Sequence, residues 1–166
     1  DMAEVYPGDV QITTEVVVPE LDSIYCGEYR PGHFKGVATV VCKLFNIVQP
    51  EIAVFGEKDY QQLLVIRSLV KNLNLPIDIY GAATMRETDG LAMSSRNMYL
   101  NETERQKAPV LYKALMAVAK SIKRGESNYQ NLEKNAISSL KNAGFKPEYF
   151  SICDSKTLKP PINQDV

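Results

Sequence analysis

The sequence predicts an α/β fold, a parallel sheet with covering helices, on three observations. Residues 51–55 ("EIAVF") form a short apolar run of strand length. Residues 76–80 ("PIDIY") form a second such run. Helical periodicity fills the stretches before and between them. Helix, strand, helix, strand in that order is the pattern of parallel strands joined by crossover helices. Two strands alone make no stable sheet, so further strands are expected.

Taken in order, Val10 to Val18 ("VQITTEVVV") is rich in β-branched residues and reads as a strand or hairpin arm that Pro19 ends. Leu21 to Gly36 is irregular, broken by Gly27, Pro31 and Gly32. From Val37 to Val48, residues Val37, Val40, Val41, Leu44, Phe45 and Val48 recur at i, i+3, i+4, i+7, i+8 and i+11, an amphipathic helix stopped at Gln49–Pro50. After the strand at 51–55, a helix is expected from Asp59 to Leu73, with Leu63, Ile66, Val70 and Leu73 at helical spacing. Near Thr84 the character becomes polar, and a domain boundary is placed there: residues 1–84 as one unit, 85–166 as a second. In the second, Asn101 with Glu104 makes a capping box for a helix to Lys123, with Leu111, Leu115 and Val118 on one face. Gly125 ends it. A last helix spans Ser127 to Ala143 before Gly144, and Tyr149 to Cys153 reads as a strand.

Of 166 residues, 45% are hydrophobic, enough for one ordinary core or two small ones. The net charge of −1 and the scattered Lys and Arg do not suggest a nucleic-acid footprint, which would need a basic face. No apolar run approaches the ~18 residues of a membrane span. Cys26, Cys42 and Cys153 lack CxxC spacing and His33 is the one histidine, so no structural metal site is expected. An odd cysteine count fits a reducing cytoplasm. The opening "DMAEVYPGDV" has neither an initiator Met nor a cationic, apolar signal segment, and reads as the middle of a longer chain.

Three polar constellations could carry chemistry. "FGEKDYQQ" stands where the first strand ends and the next helix begins. Ligands of open α/β sheets bind beyond the carboxyl ends of strands. Gly56 permits close backbone approach, and the helix start favours an anion. Lys58 adds a charge for phosphate, Asp59 can accept from a ribose hydroxyl, and Gln62 can bind a carboxylate or hydroxyl. The plainer alternative makes Asp59 an N-cap and Lys58 a solvated side chain. "MSSRN" (Met93 to Asn97) offers two hydroxyls and a guanidinium that can grip a triphosphate, or is an ordinary polar loop after the Asp89–Gly90 turn. "RPGHFKG" (Arg30 to Gly36) groups Arg30, His33 and Lys35 at a helix start, where His33 alternatively satisfies a neighbouring carbonyl.

The order of these blocks resembles the pantoate–β-alanine ligase family. The stretches "RPGHFKGVATVVCKLFNIVQP", "AVFGEKDYQQLLVIRSLV" and "MRETDGLAMSSRNMYL" carry the resemblance, which runs from Tyr6 to Asp154. It implies a Rossmann-like nucleotidyltransferase domain of the adenine nucleotide α-hydrolase-like type, here partial, and a small α+β C-terminal lid. It implies ATP-dependent condensation of pantoate with β-alanine through pantoyl adenylate, with Mg²⁺, in a cytoplasmic homodimer. It further implies that Gly56, Glu57, Lys58 and Asp59 bind ATP, Lys58 at phosphate and Asp59 at the ribose side. Gln62 matches a pantoate-binding glutamine. Met85 falls where backbone contacts adenine. Met93, Ser94, Ser95 and Arg96 match a phosphate-binding loop, the counterpart of the Lys-Met-Ser-Lys-Ser loop of class I aminoacyl-tRNA synthetases. The implied catalytic set is Lys58, Ser94, Ser95 and Arg96, with no protein metal ligands and with Arg30 and His33 near the site.

The chain departs from the family pattern by lacking its "PTMGxLHxGH"-type segment and its last strands. The expectation is a central-to-C-terminal fragment, nearly inactive by itself. The competing readings are another adenylyl-transferring enzyme of the same superfold, or a non-catalytic nucleotide-binding module.

Overall fold

The computed structural model describes residues 2–7 and 14–161. The chain divides into two compact units, Asp1–Ala83 and Thr84–Val166.

In the first unit, helices α1 (Met2–Val5), α2 (Pro19–Asp22), α3 (Cys26–Tyr29) and α4 (His33–Val48) precede strand β1 (Ile52–Gly56). A 3-10 turn, Glu57–Asp59, leads into α5 (Tyr60–Asn72), and β2 (Asp78–Ala82) follows. The two strands pair in parallel, from Ile52 against Asp78 to Gly56 against Ala82. This is the expected strand–helix–strand unit.

Alternation along each strand sends one face inward. Ala53, Phe55 and Ile79 pack on a core of Val18, Phe34, Ala38, Phe45, Val65, Ile66 and Leu69. Phe45 meets Phe55 edge-on, with ring centroids 6.4 Å apart. Helix α5 is enclosed on more than one side: Leu63, Val65 and Ile66 are fully buried and Leu69 nearly so, whereas Leu73 is exposed. The opposite sheet face is bare, with Ile52 56%, Val54 64% and Tyr80 55% exposed. Parallel sheets are ordinarily covered on both faces.

Two expectations change here. The strand placed at Val10–Val18 falls partly outside the described residues. Its remainder, 14–18, is not a strand; the Val16 N–H donates to the Thr39 hydroxyl (2.9 Å) on α4 instead of to a ladder. The stretch 21–36 is more ordered than its glycines suggest. Gly32, at φ +79°, makes the left-handed turn that lets α4 begin at His33 rather than Val37. Gln49, also left-handed, ends α4 and donates its N–H to the Phe45 carbonyl.

The second unit opens with a short antiparallel hairpin bridging Arg86 and Ala92. A 3-10 turn follows (Ser95–Tyr99), then α6 (Glu102–Lys107), α7 (Val110–Lys123) and α8 (Tyr129–Asn142). The capping box forms as read: Glu104 N–H donates to the Asn101 side chain (2.9 Å), and Asn101 N–H to the Glu104 carboxylate (3.0 Å). The single helix expected to Lys123 is two, because Pro109 has no N–H to continue the ladder. The break also sets the packing face. Val110, Ala114 and Val118 pack with Ala136, Leu140 and Phe150, while Leu111 and Leu115 stay 45% exposed. Gly125 (φ +94°) and Gly144 (φ +88°) end α7 and α8 as expected. The strand expected at Tyr149–Cys153 does not form; its Ile152 N–H is taken by the Glu133 carboxylate of α8 (2.6 Å).

Candidate functional site

The carboxyl ends of β1 and β2 meet at Gly56 and Ala82, and the exposed turn Glu57–Lys58–Asp59 sits directly beyond. Gly56 has ordinary extended angles, φ −70° and ψ 134°. A Cβ built on it would meet no atom within 4 Å. Neither conformation nor packing in the described structure calls for glycine there. Gly81 differs: its Cβ would press on Glu57 Oε1 at 3.0 Å and Leu63 Cδ2 at 3.1 Å, so the Glu57 side chain lies across β2.

Asp59 occupies the N-cap position of α5, but its side chain makes no capping bond. The plain N-cap reading therefore fails on geometry. Its carboxylate stands 3.6 Å from Lys58 Nζ, an exposed pair of small energetic worth. Carboxylate, ammonium and the start of a thirteen-residue helix thus share one solvent-facing turn.

Gln62 is half-buried on the first turn of α5, and its neighbour proves to be the structural glutamine. Gln61 is buried; its amide donates to the carbonyls of Leu21 (2.9 Å) and Ile24 (2.8 Å), and its oxygen accepts from Cys26 N–H (3.3 Å). One side chain ties residues 21–26 to the helix start. The sequence signal for it is register: Gln61, Val65 and Leu69 recur at i, i+4 and i+8 and all are buried. Gln61→Leu strands those three backbone groups and is expected to cost about 2–4 kcal/mol. Urea unfolding monitored by circular dichroism checks this, and a cost below about 1 kcal/mol would deny Gln61 its anchoring role.

Arg30 and His33 are exposed at the junction of α3 and α4. The His33 ring tilts against Phe34 (centroids 5.0 Å apart), and the His33 backbone N–H donates to the Arg30 carbonyl (3.0 Å). Lys35 does not join them as a cationic cluster. Its ammonium pairs with Glu15 at 2.8 Å, and this hydrogen bond and charge raise its pKa.

In the second unit, Met85 and Met93 form the neck of the hairpin, Met93 N–H donating to the Met85 carbonyl at 2.9 Å. The loop Met93–Arg96 runs into a 3-10 turn, Ser95–Tyr99, that Ser94 caps. The Ser94 hydroxyl accepts from Arg96 N–H (3.2 Å), and the Asn97 amide donates to the Ala92 carbonyl (3.0 Å). Ser95 and Arg96 are exposed, so the guanidinium faces solvent.

Among the described residues no cluster of three His, Cys, Asp or Glu could hold a metal ion, and no helix is long and apolar enough to cross a membrane.

Two parallel strands with packed helices, a charged turn at their carboxyl ends and, in the second unit, a serine–arginine loop fit a nucleotidyltransferase-like α/β protein. The family model described as pantoate-beta-alanine ligase matches residues 1–166, and the chain belongs to that family. Pantothenate synthetase of Marinobacter nauticus is 53% identical over 98% of this chain and 57% of the relative. The pantothenate synthetase structure from Thermus thermophilus superposes with a TM-score of 0.89 at 45% identity, covering 97% of this chain and 58% of the other. A pantoate-beta-alanine ligase from Francisella tularensis, complexed with beta-gamma ATP and beta-alanine, gives a TM-score of 0.65 at 34% identity, with coverage of 82% and 50%. The chain therefore spans little more than half the length of these relatives.

Proposed function

We propose that the protein containing this chain condenses pantoate with β-alanine at the expense of ATP. The pantoate carboxylate attacks the α-phosphorus and pyrophosphate leaves. The β-alanine amine then attacks the acyl carbon of pantoyl adenylate, releasing AMP and forming pantothenate.

The observation that carries this reading is the Gly56–Asp59 turn. It holds a glycine that the fold does not require and a carboxylate that caps nothing. Such unspent groups at the carboxyl end of a parallel sheet suit a nucleotide. Lys58 binds phosphate, Asp59 the ribose side, and Gln62 pantoate; Gly56 and Glu57 complete the turn. Met85 meets adenine through its backbone, and Met93, Ser94, Ser95 and Arg96 hold the departing pyrophosphate. Arg30 and His33 flank the site. Residues 1–84 act as the nucleotide- and pantoate-binding unit, and 85–166 as a lid. Catalysis of this kind rests on holding the attacking oxygen in line and on stabilising charge as pyrophosphate leaves.

Mg²⁺ fits such a site as an ion carried by the triphosphate, since it commonly binds through phosphates and one or two carboxylates. Glu57 and Asp59 are the carboxylates at the turn. The ion would offset charge on the phosphate oxygens. A cytoplasmic homodimer completes the proposal, as the family resemblance implies.

Pyrophosphate release from ATP and Mg²⁺ by the full-length protein, before β-alanine is added, tests the reading. Release is expected only when pantoate is present. Release indifferent to pantoate would break the acceptor assignment and leave an adenylyl-transferring domain with another substrate.

A further inference from the structure

The hairpin between Met85 and Met93 carries more anchoring than a surface turn needs. Its neck is closed by the Met93–Met85 backbone bond. Its middle is closed by the Glu87 N–H donating to the Leu91 carbonyl (2.8 Å), and its tip by the Gly90 N–H donating to the Glu87 carbonyl (2.9 Å). Two side-chain clamps then tie the tip to the helices that follow. Asp89 pairs with Arg105 of α6, and its other carboxylate oxygen accepts from Leu91 N–H (3.0 Å). Arg86 lays its guanidinium 3.7 Å from the centroid of the Tyr112 ring of α7 and donates to the Gly90 carbonyl (3.1 Å). The backbone at Gly90 lies flush on the same ring: an added Cβ would come within 2.6 Å of Tyr112, and φ there is +95°. Glycine is needed at 90 for both reasons.

These clamps are half-exposed or exposed, and such ion pairs contribute little to stability. Met85 and Met93 are themselves exposed, so no core fixes the hairpin's neck. What the clamps do fix is position. One end of the hairpin is the Met85 backbone, and the other runs straight into Ser94–Arg96 through the Asn97–Ala92 bond.

We propose that the 85–93 hairpin is a strut that holds the adenine-facing backbone and the phosphate loop at one fixed spacing, with Arg86, Asp89, Arg105 and Tyr112 as its positioning residues. The proposal rests on the ATP-binding roles given above for Met85 and Met93–Arg96. The Asp89 carboxyl is held below the usual carboxylate range, first by its bond from Arg105 and next by Leu91 N–H. That clamp is therefore present at neutral pH and lost only as pH falls through the lowered value.

Steady-state kinetics and thermal melting of the full-length protein test it. Tyr112→Leu is expected to raise the KM for ATP about tenfold, from loss of the cation–π seat. The KM for pantoate and the melting temperature should change little. Tyr112→Phe keeps the ring face and should restore the parental KM for ATP. Asp89→Arg should raise the same KM, and adding Arg105→Asp should recover much of it. An unchanged KM for ATP in both Tyr112→Leu and Asp89→Arg would overturn the proposal. So would KM values for ATP and pantoate that rise together with a lowered melting temperature. Should Tyr112→Leu fail to fold, the exposed Asp89–Arg105 exchange decides alone. Pantoate-dependent pyrophosphate release by the parent protein is the control: its absence would fault the functional reading and not the strut.

Discussion

Lys58→Ala in the full-length protein is expected to slow pyrophosphate release by about 10²–10³, the usual cost of removing one preorganised charge from a transition state. The fold should hardly register the change. Lys58 lies on an exposed turn, and its only ion pair among the described residues is with Asp59 at 3.6 Å. Pairs of that kind contribute about 0–1 kcal/mol. Rate and stability should therefore separate: a large kinetic loss with a melting temperature near the parent's. The measurement is single-turnover formation of pyrophosphate, with ATP and pantoate saturating, beside a thermal melt. A rate loss below tenfold would remove Lys58 from the phosphate role and return the turn to an ordinary solvated segment. Lys58→Arg sharpens the test. A guanidinium keeps the charge but not the compact point geometry, so recovery should be partial.

Much of the arrangement was legible in the sequence, and the failures have identifiable causes. Periodicity located α4 and α5, because an amphipathic or buried helix must repeat its apolar residues near every 3.6 positions. Two apolar runs bounded by turn residues located β1 and β2. Local chemistry located the Asn101–Glu104 capping box and the glycines after α7 and α8. What local chemistry does not contain is the partner. Four of the residues 14–18 are β-branched, yet Val16 bonds to the Thr39 hydroxyl, and among the described residues no strand is paired with it. Residues 149–153 read as a strand, yet a carboxylate of α8 takes the Ile152 N–H. Propensity for a strand is fitness for a pleated, half-buried surface, and it is realised only where a ladder exists. The break at Pro109 is local chemistry of the same kind, since a proline has no N–H to give the helix.

The candidate site divides in the same way. The polar turn after β1 and the serine–arginine loop are continuous in sequence, so they could be read directly. Gln61 could not be chosen over Gln62 from residue type, because both are glutamines at the start of one helix. Their difference is a rotation of about 100° around the helix axis. That rotation buries Gln61 against three backbone groups of residues 21–26 and leaves Gln62 half-buried. The clamp made by Arg86 and Tyr112 spans 26 positions (112 − 86) and joins a hairpin to a helix, which no short motif records.

Gly56→Val is the sharpest separation of fold from function that this structure permits. A glycine at the end of a strand usually answers a need of the fold: a positive φ, or a neighbour too close for a Cβ. Gly56 answers neither, with φ −70°, ψ 134° and nothing within 4 Å of its would-be Cβ. Valine suits such extended angles, and limiting the unfolded chain at a compatible site typically adds about 0.4–1 kcal/mol of stability. The variant should therefore melt at or above the parent temperature. Adenylation should fall by about 10², because displacing a reacting group by about 1 Å is enough to do so. Gly81→Val supplies the contrast, since its side chain would collide with Glu57 and Leu63 and should lower the melting temperature outright. If Gly56→Val is stable and turns over like the parent, no ligand approaches that backbone, and the nucleotide must be sought elsewhere on the unit. If it is stable and inactive, the open space above Gly56 is the place a substrate occupies, and the turn beyond β1 owes its polar residues to that substrate rather than to folding.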